Sequence, residues 1–462
     1  MRKIKWIVVA VVVLVVIGAV AARQGIHLLK DGAQAYMYGY SLVLMDTTRQ
    51  VMTDPDGEQA AVNHFSLVRV FPDHLFRQVV RPNCDTLYST AWIDLSKEPI
   101  ILSVPDMGDR YYVMPFMDAW TNVFAYIGKR TTGSGPGHYM LAGPGWNGTV
   151  PEGLQAIQAP TNMTWLIGRI QTNGKHDFPN VHRLQDQITL TPLSRWKKGQ
   201  PNPGFAKASD PSDSRAKSPM AMVAGMDAHE YFSMLARLMG EQPPAVADGP
   251  VLKTLAEFGV VPGVPFDFKE LGFMRRLMLT KAVDVTRGKL DEIARSDRSS
   301  ENKWAVIREG IGAYGTHYDV RALVSMVGLG ALEPAEAAYP NANMDSTGQP
   351  LSGGHHYRIH FDAGKTPPVD AFWSLTMYDE RGFLIDNPIR RYAIGDRDSL
   401  EFNPDGSLDI LIQYEQPDTK SSNWLPAPAD AFAVTMRLYL PKAKFLDGTW
   451  KLPPIERIKE TL

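Results

Sequence analysis

Four textures of hydrophobic and polar positions follow one another along the chain. Arg2, Lys3 and Lys5 precede an unbroken apolar run from Trp6 to Ala22, 17 residues long, and Arg23 follows it. As a helix rising ~1.5 Å per residue the run covers about 26 Å, close to the hydrocarbon thickness of a bilayer. The pattern predicts a transmembrane signal anchor over residues 1–27, or a signal peptide cleaved near Ala19-Val20-Ala21; either way the rest of the chain is exported to the periplasmic or extracellular side. Over residues 28–61, Tyr36, Tyr40, Val43, Leu44 and Thr47 recur at helical spacing and predict an amphipathic helix, loosened at Gly39. Residues 62–200 change period. Short apolar runs such as Tyr111–Met117, Asn122–Gly128 and Thr164–Thr172 alternate with Gly/Pro turns, the texture of an antiparallel β-sandwich. A polar stretch, 196–220, reads as a linker or surface loop, and residues 201–340 contain a helical module. Its first helix starts on Asp227 as N-cap, repeats Tyr231, Met234, Leu235 and Leu238, and stops at Gly240; 251–260, 281–294 and 301–330 supply further helices. Strands return over residues 341–462, as His356–Phe361, Phe372–Asp379, Leu408–Glu415 and Phe432–Leu440. The predicted fold is mixed and mainly β: two antiparallel β-sandwich or jelly-roll-like domains separated by a helical module, behind an N-terminal transmembrane or signal helix.

Composition narrows this picture. With 48 basic and 50 acidic residues in 462 the net charge is −2, so no nucleic-acid partner is expected. A hydrophobic content of 44% excludes wholesale disorder. Glycine and proline, 38 and 34 residues, exceed the usual share without any repeat, as many turns between short strands require. The one cysteine, Cys84, rules out an internal disulfide framework and thiolate metal clusters.

Asn83–Ser96 (NCDTLYSTAWIDLS), Met114–Gly133 and Tyr139–Trp146 resemble the family called domain of unknown function 1254. DSTGQPLSGGHHYRIHF, PPVDAFWSLTMYD, FNPDGSLDILIQYE and NWLPAPADAFAVTMRLYLP resemble its companion, domain of unknown function 1214. The two resemblances cover roughly residues 62–200 and 340–455. They imply an exported bacterial protein with two β-rich domains flanking a helical one, and they transfer no reaction and no catalytic residues.

Candidate chemistry therefore comes from the residues. The densest polar cluster is Asn83, Asp85, Thr86, Tyr88 and Ser89. An Asx residue before threonine commonly closes a turn on its own backbone. The functional alternative makes Asp85 a base and Tyr88 a phenolic donor. Asp118 lies between two apolar strands beside Trp120 and Asn122, and would pair with Asp85 as an acid/base couple. Arg130 and Arg169 would neutralise these aspartates, as structural ion pairs or as an anion site. The aromatic residues of this half would form core or a stacking platform for sugars or lipids. In the C-terminal region His356, Arg358 and His360 share one strand face by alternation; the intervening arginine disfavours a metal, and His360 would meet Tyr378 and Asp379 in a polar pocket. There is no nucleophile elbow, P-loop, dinucleotide fingerprint or H-E-x-x-H, and nothing calls for a cofactor or metal.

Two readings of function compete, with a third behind them. The first is a membrane-tethered, exported protein that binds a small or envelope-derived ligand, glycan or lipid-like, using Asn83, Trp120, Asn122, Arg130, Arg169, Arg358, His360 and Tyr378. The second is a hydrolase or lyase using Asp85, Asp118 and Tyr88 with an arginine. The third is a structural assembly module forming a homo-oligomer.

Overall fold

Alternation of side chains along Thr86–Asp94 and Met163–Gln171 places Leu87, Ala91 and Ile93 with Leu166 and Ile170 on one face of a sheet, and that face is buried. These strands pair antiparallel and form the middle of a five-stranded sheet ordered Ser66–Leu67, Thr86–Asp94, Met163–Gln171, Tyr112–Asp118, Val123–Gly128. A four-stranded sheet (Gln155–Gln158, Gly137–Ala142, Ile100–Val104, Thr189–Pro192) contributes Ile100, Leu102, Leu141 and Leu190 to the same core. Gly168 is required at the centre of the first sheet. A β-carbon there would sit 2.4 Å from the Met114 sulfur and 2.8 Å from the Ser89 carbonyl.

The C-terminal strands repeat the arrangement. Ala337–Ala338, Phe432–Pro441, Val369–Asp379 and Ala393–Gly395 form one sheet, and Trp424–Pro426, Leu408–Gln413, His356–Phe361 and Ile455–Ile458 form another. Ile359, Ile410, Leu375 and Met436 from the two sheets share one core with Trp304. His356, Arg358 and His360 alternate with the buried Tyr357, Ile359 and Phe361, as the pattern predicts.

The computed structural model describes residues 2–53, 61–77, 80–200, 218–295 and 300–458, with side chains other than those of 2–21 and 295. The protein has both helices and strands, with several sheets, in two compact units. One unit joins Met1–Thr48, Pro219–Ser296 and Tyr314–Gly328; the other joins Arg49–Ser218, Asp297–Ala313 and Leu329–Leu462, so both β regions belong to it.

The helical unit corrects one expectation and keeps another. The N-terminal segment is one helix, Arg2–Met52, with no break at Gly39. Gly39 is instead a close approach: a β-carbon would lie 2.5 Å from Leu235. Helix Ala228–Glu241 starts on Asp227, whose carboxylate accepts the Glu230 N–H while Glu230 returns a bond to the Asp227 N–H, a capping box. Tyr231 and Leu235 of that helix are fully buried, and the Tyr231 hydroxyl donates to the Tyr36 carbonyl at 2.7 Å. Residues 301–317 are not helical, unlike Tyr318–Gly328. Gly310, Gly312 and Gly315 adopt positive φ, and the buried Trp304 donates its indole N–H to the Pro453 carbonyl.

Among the described residues no helix is long and apolar enough to cross a membrane. The apolar run Trp6–Ala22, expected to anchor or export the chain, falls almost entirely on side chains outside the described residues, as does most of the polar stretch 196–220.

Candidate functional site

Asn83 shows how the chain turns into the first long strand. Its side-chain oxygen accepts the N–H groups of Asp85 and Thr86 at 2.5 and 3.2 Å, the Asx turn that its sequence context suggests. The turn aims Asp85 into the β-rich unit, where it is fully buried. There Arg397 Nη2 pairs with one carboxylate oxygen, and the Ser374 hydroxyl donates to the other at 2.7 Å. Arg397 Nη1 also donates to the carbonyls of Asp85 and Thr172, and its guanidinium lies 4.1 Å from the Phe372 ring centre. Both oxygens of Asp85 are thus held by C-terminal partners, an arrangement that fixes structure.

Asp118 is elsewhere. It faces Thr164, which faces Ile93, whereas Asp85 precedes Thr86 at the opposite end of the same strand. Eight residues at ~3.3 Å put the two carboxylates about 26 Å apart along the sheet. Asp118 accepts the N–H groups of Trp120 and Asn122, both at 2.9 Å, and the Asn122 side chain, around Thr121 at positive φ. The paired-carboxylate arrangement is therefore not formed. Trp120 is buried beside this turn.

Arg130 and Arg169 do not neutralise these aspartates either. Arg130 pairs with Glu333 at 2.7 Å and Glu336 at 2.6 Å. Glu336 is buried and also accepts the Tyr111 hydroxyl at 2.9 Å; burial raises its carboxyl above the ordinary value despite Arg130. Arg169 is 6% exposed and meets phenols. Its Nε donates to the Tyr88 hydroxyl at 3.4 Å, Nη1 to the Ile167 carbonyl at 3.3 Å and Nη2 to the Gly330 carbonyl at 2.7 Å. The guanidinium lies 5.2 Å from the Tyr88 ring centre. Burial works against its charge, yet the phenols of Tyr88, Tyr339 and Tyr439 hold its pKa above the ordinary value. Asn83 completes the group, donating to the Tyr439 hydroxyl at 2.8 Å and lying 3.4 Å from that of Tyr88.

The C-terminal candidates separate. Tyr378 is fully buried, donates to the Pro82 carbonyl at 2.6 Å and accepts from Arg437 at 2.7 Å; burial pushes its phenol up to about 12. His360 is in the other C-terminal sheet. There it bonds Asp409 at 2.7 Å, and Arg358 pairs with Glu456 at 2.9 Å. The expected His360–Tyr378–Asp379 pocket does not form, because neighbours in sequence pattern belong to different sheets. Burial, and then the charge of Asp85, push the Cys84 thiol up to about 12, which leaves it unreactive near neutral pH.

The arrangement thus brings together Asn83, Tyr88 and Arg169 from the candidate list, and adds Tyr339, Tyr439 and Arg437. A signal for the last two existed. An arginine and a tyrosine two apart in the apolar strand FAVTMRLYL share a face, and a mid-strand arginine needs partners.

Residues 62–192 match the family described as protein of unknown function DUF1254, and residues 336–443 match protein of unknown function DUF1214. The two matches lie in the N-terminal and C-terminal parts of the chain, respectively. The Arg169 cluster draws on both: Asn83, Tyr88 and Arg169 from the DUF1254 region, Tyr339 and Tyr439 from the DUF1214 region. The crystal structure of the VPA0106 protein from Vibrio parahaemolyticus is similar, with 25% identity and a TM-score of 0.70 over 94% of this chain and 100% of that one. An uncharacterized protein from Burkholderia cenocepacia aligns over 95% of this chain and 96% of that one, at 13% identity and a TM-score of 0.46. No curated protein matches the chain.

Proposed function

We propose that this is an exported envelope protein, tethered or directed by Arg2–Ala22, that binds a small glycan- or lipid-like molecule at the tyrosine-rich surface around Arg169. One observation carries the reading: Tyr88 and Tyr339, both half-buried, lie by a buried guanidinium that no carboxylate among the described residues engages. Half-buried phenols present an apolar ring and a hydrogen-bonding tip together, the combination that ligand sites use. The cores shared between paired sheets support a sandwich for each β region, the second jelly-roll-like. The hydrolase or lyase alternative loses support, because Asp85 and Asp118 are far apart and each is held by hydrogen bonds.

Thermal melting of the protein against monosaccharides, acetylated amino sugars and fatty acids tests the reading. At least one class raises the melting temperature, and Tyr88→Phe/Tyr339→Phe removes the rise while leaving the unliganded temperature within a few degrees. Turnover of chromogenic esters or glycosides that Asp85→Asn abolishes without unfolding would refute it.

A further inference from the structure

The hydrogen-bond account around Arg169 does not close. Arginine carries five N–H donors, and three meet the Tyr88 hydroxyl and the carbonyls of Ile167 and Gly330. Two remain. The Tyr88 hydroxyl receives a bond from Arg169, and Asn83 gives its two N–H groups to the hydroxyls of Tyr439 and Thr86. Among the described residues neither phenol's own proton meets an acceptor, and the Tyr339 hydroxyl has no hydrogen bond. Burial pushes the Tyr339 phenol up to about 12, so it stays a donor at neutral pH. Five donor hydrogens therefore gather at one place without an acceptor among the described residues; Tyr439 is fully buried, which leaves those of Arg169, Tyr88 and Tyr339 for a ligand.

Charge is unbalanced in the same sense. Among the described residues neither Arg169 nor Arg437 forms an ion pair; Asp85 is committed to Arg397, and Glu336 to Arg130. Arg437 donates to Thr376, to Tyr378 and to the carbonyls of Arg81 and Pro82, and it adds positive charge. A buried guanidinium is ordinarily matched by an anion.

We propose that the ligand of this site is a small organic acid, whose carboxylate sits against Arg169 and accepts from the half-buried Tyr88 and Tyr339. This rests on the binding function proposed above and names its chemistry. A carboxylate has one charge and about four lone-pair positions, which suits one guanidinium with two spare N–H groups and two phenols.

The test is thermal melting of the full chain with benzoate, decanoate, inorganic phosphate and benzamide, at ionic strength matched with sodium chloride. Benzoate or decanoate is expected to raise the melting temperature, with benzamide and sodium chloride inert. Benzoate alone identifies a compact acid, and decanoate alone a fatty acid. The apparent affinity should fall at least tenfold in Arg169→Lys, which keeps the charge and loses the fork, and in Tyr339→Phe, which removes only an unbonded hydroxyl and so keeps the fold. A benzamide response as strong as that of benzoate, lost in Tyr339→Phe, would overturn the acid and leave the binding site standing. A response to phosphate only would also overturn it. If none of the four acts while a neutral sugar binds in a Tyr339-dependent way, the acid again fails alone; if nothing binds at all, both proposals fail.

Discussion

Asp85 is fully buried inside the β-rich unit. Buried between Arg397 and Ser374, it ties the turn after Asn83 to the strand Val369–Asp379. Removing one partner of a buried ion pair commonly costs about 3–5 kcal/mol. Asp85→Ala should therefore lower the urea midpoint strongly, and Arg397→Ala should do the same. The double variant should cost less than the sum, because neither charge is then left alone. Additive effects would show that the two residues do not interact. Asp396, next in the chain to Arg397, behaves differently. Burial of its carboxyl, more than any other influence, raises it from 3.8 to about 6, while its side chain accepts the Trp373 N–H. The folded protein then holds a proton that the unfolded chain has released between about pH 4 and 6, so this group's contribution to stability falls as pH rises through that window. Asp396→Asn should remove this slope: relative to wild type the variant gains stability as pH rises from 4 to 7. A parallel pair of stability–pH curves would contradict the assignment.

At the scale of elements, local chemistry was legible and long-range pairing was not. The Asp227 cap, the Asn83 turn and the alternation His356–Arg358–His360 each depend on residues within five positions, and each is present. Asp227→Ala should cost ~1 kcal/mol through the lost cap, read as a small shift in the helical unit's melting. Gly39 was readable only as a weak point, because its partner Leu235 lies almost two hundred residues away; the tight contact is invisible in a single sequence. Gly39→Val should be tolerated poorly. Overpacking of this kind commonly costs about 1–3 kcal/mol, and a variant with unchanged melting would refute the close approach. The spacing of residues 301–330 predicts mostly helix, yet only Tyr318–Gly328 is helical, for a related reason. Their apolar spacing resembles a helix, but Trp304 is buried against strands from the chain's other end, and three glycines take conformations that no helix allows.

Over the whole molecule, the sequence order β, α, β does not map onto separate bodies. Both β regions fall in one compact unit, and the helical unit gathers three distant segments. That grouping explains why the candidate site was only half legible. Asn83 and Tyr88 stand out locally as a polar cluster, and Arg169 as a charge within an apolar strand. Tyr339 and Tyr439, roughly 250 to 350 residues further on, become neighbours only through the fold. The candidate catalytic carboxylates are held by structural partners, while among the described residues the hydroxyls of Tyr88, Tyr339 and Tyr439 donate to no acceptor.

Contact between the phenols of Tyr88 and Tyr339 and a ligand is what the proposed binding function requires. Uniform 3-fluorotyrosine labelling, with resonances assigned by Tyr88→Phe, Tyr339→Phe and Tyr112→Phe, gives one fluorine signal for each ring. On titration with benzoate or decanoate the Tyr88 and Tyr339 signals should move together and saturate, with Tyr112, bonded to the Gly133 carbonyl, unmoved. Saturable shifts confined to other tyrosines, or none across the sugar and fatty-acid panel as well, would contradict it.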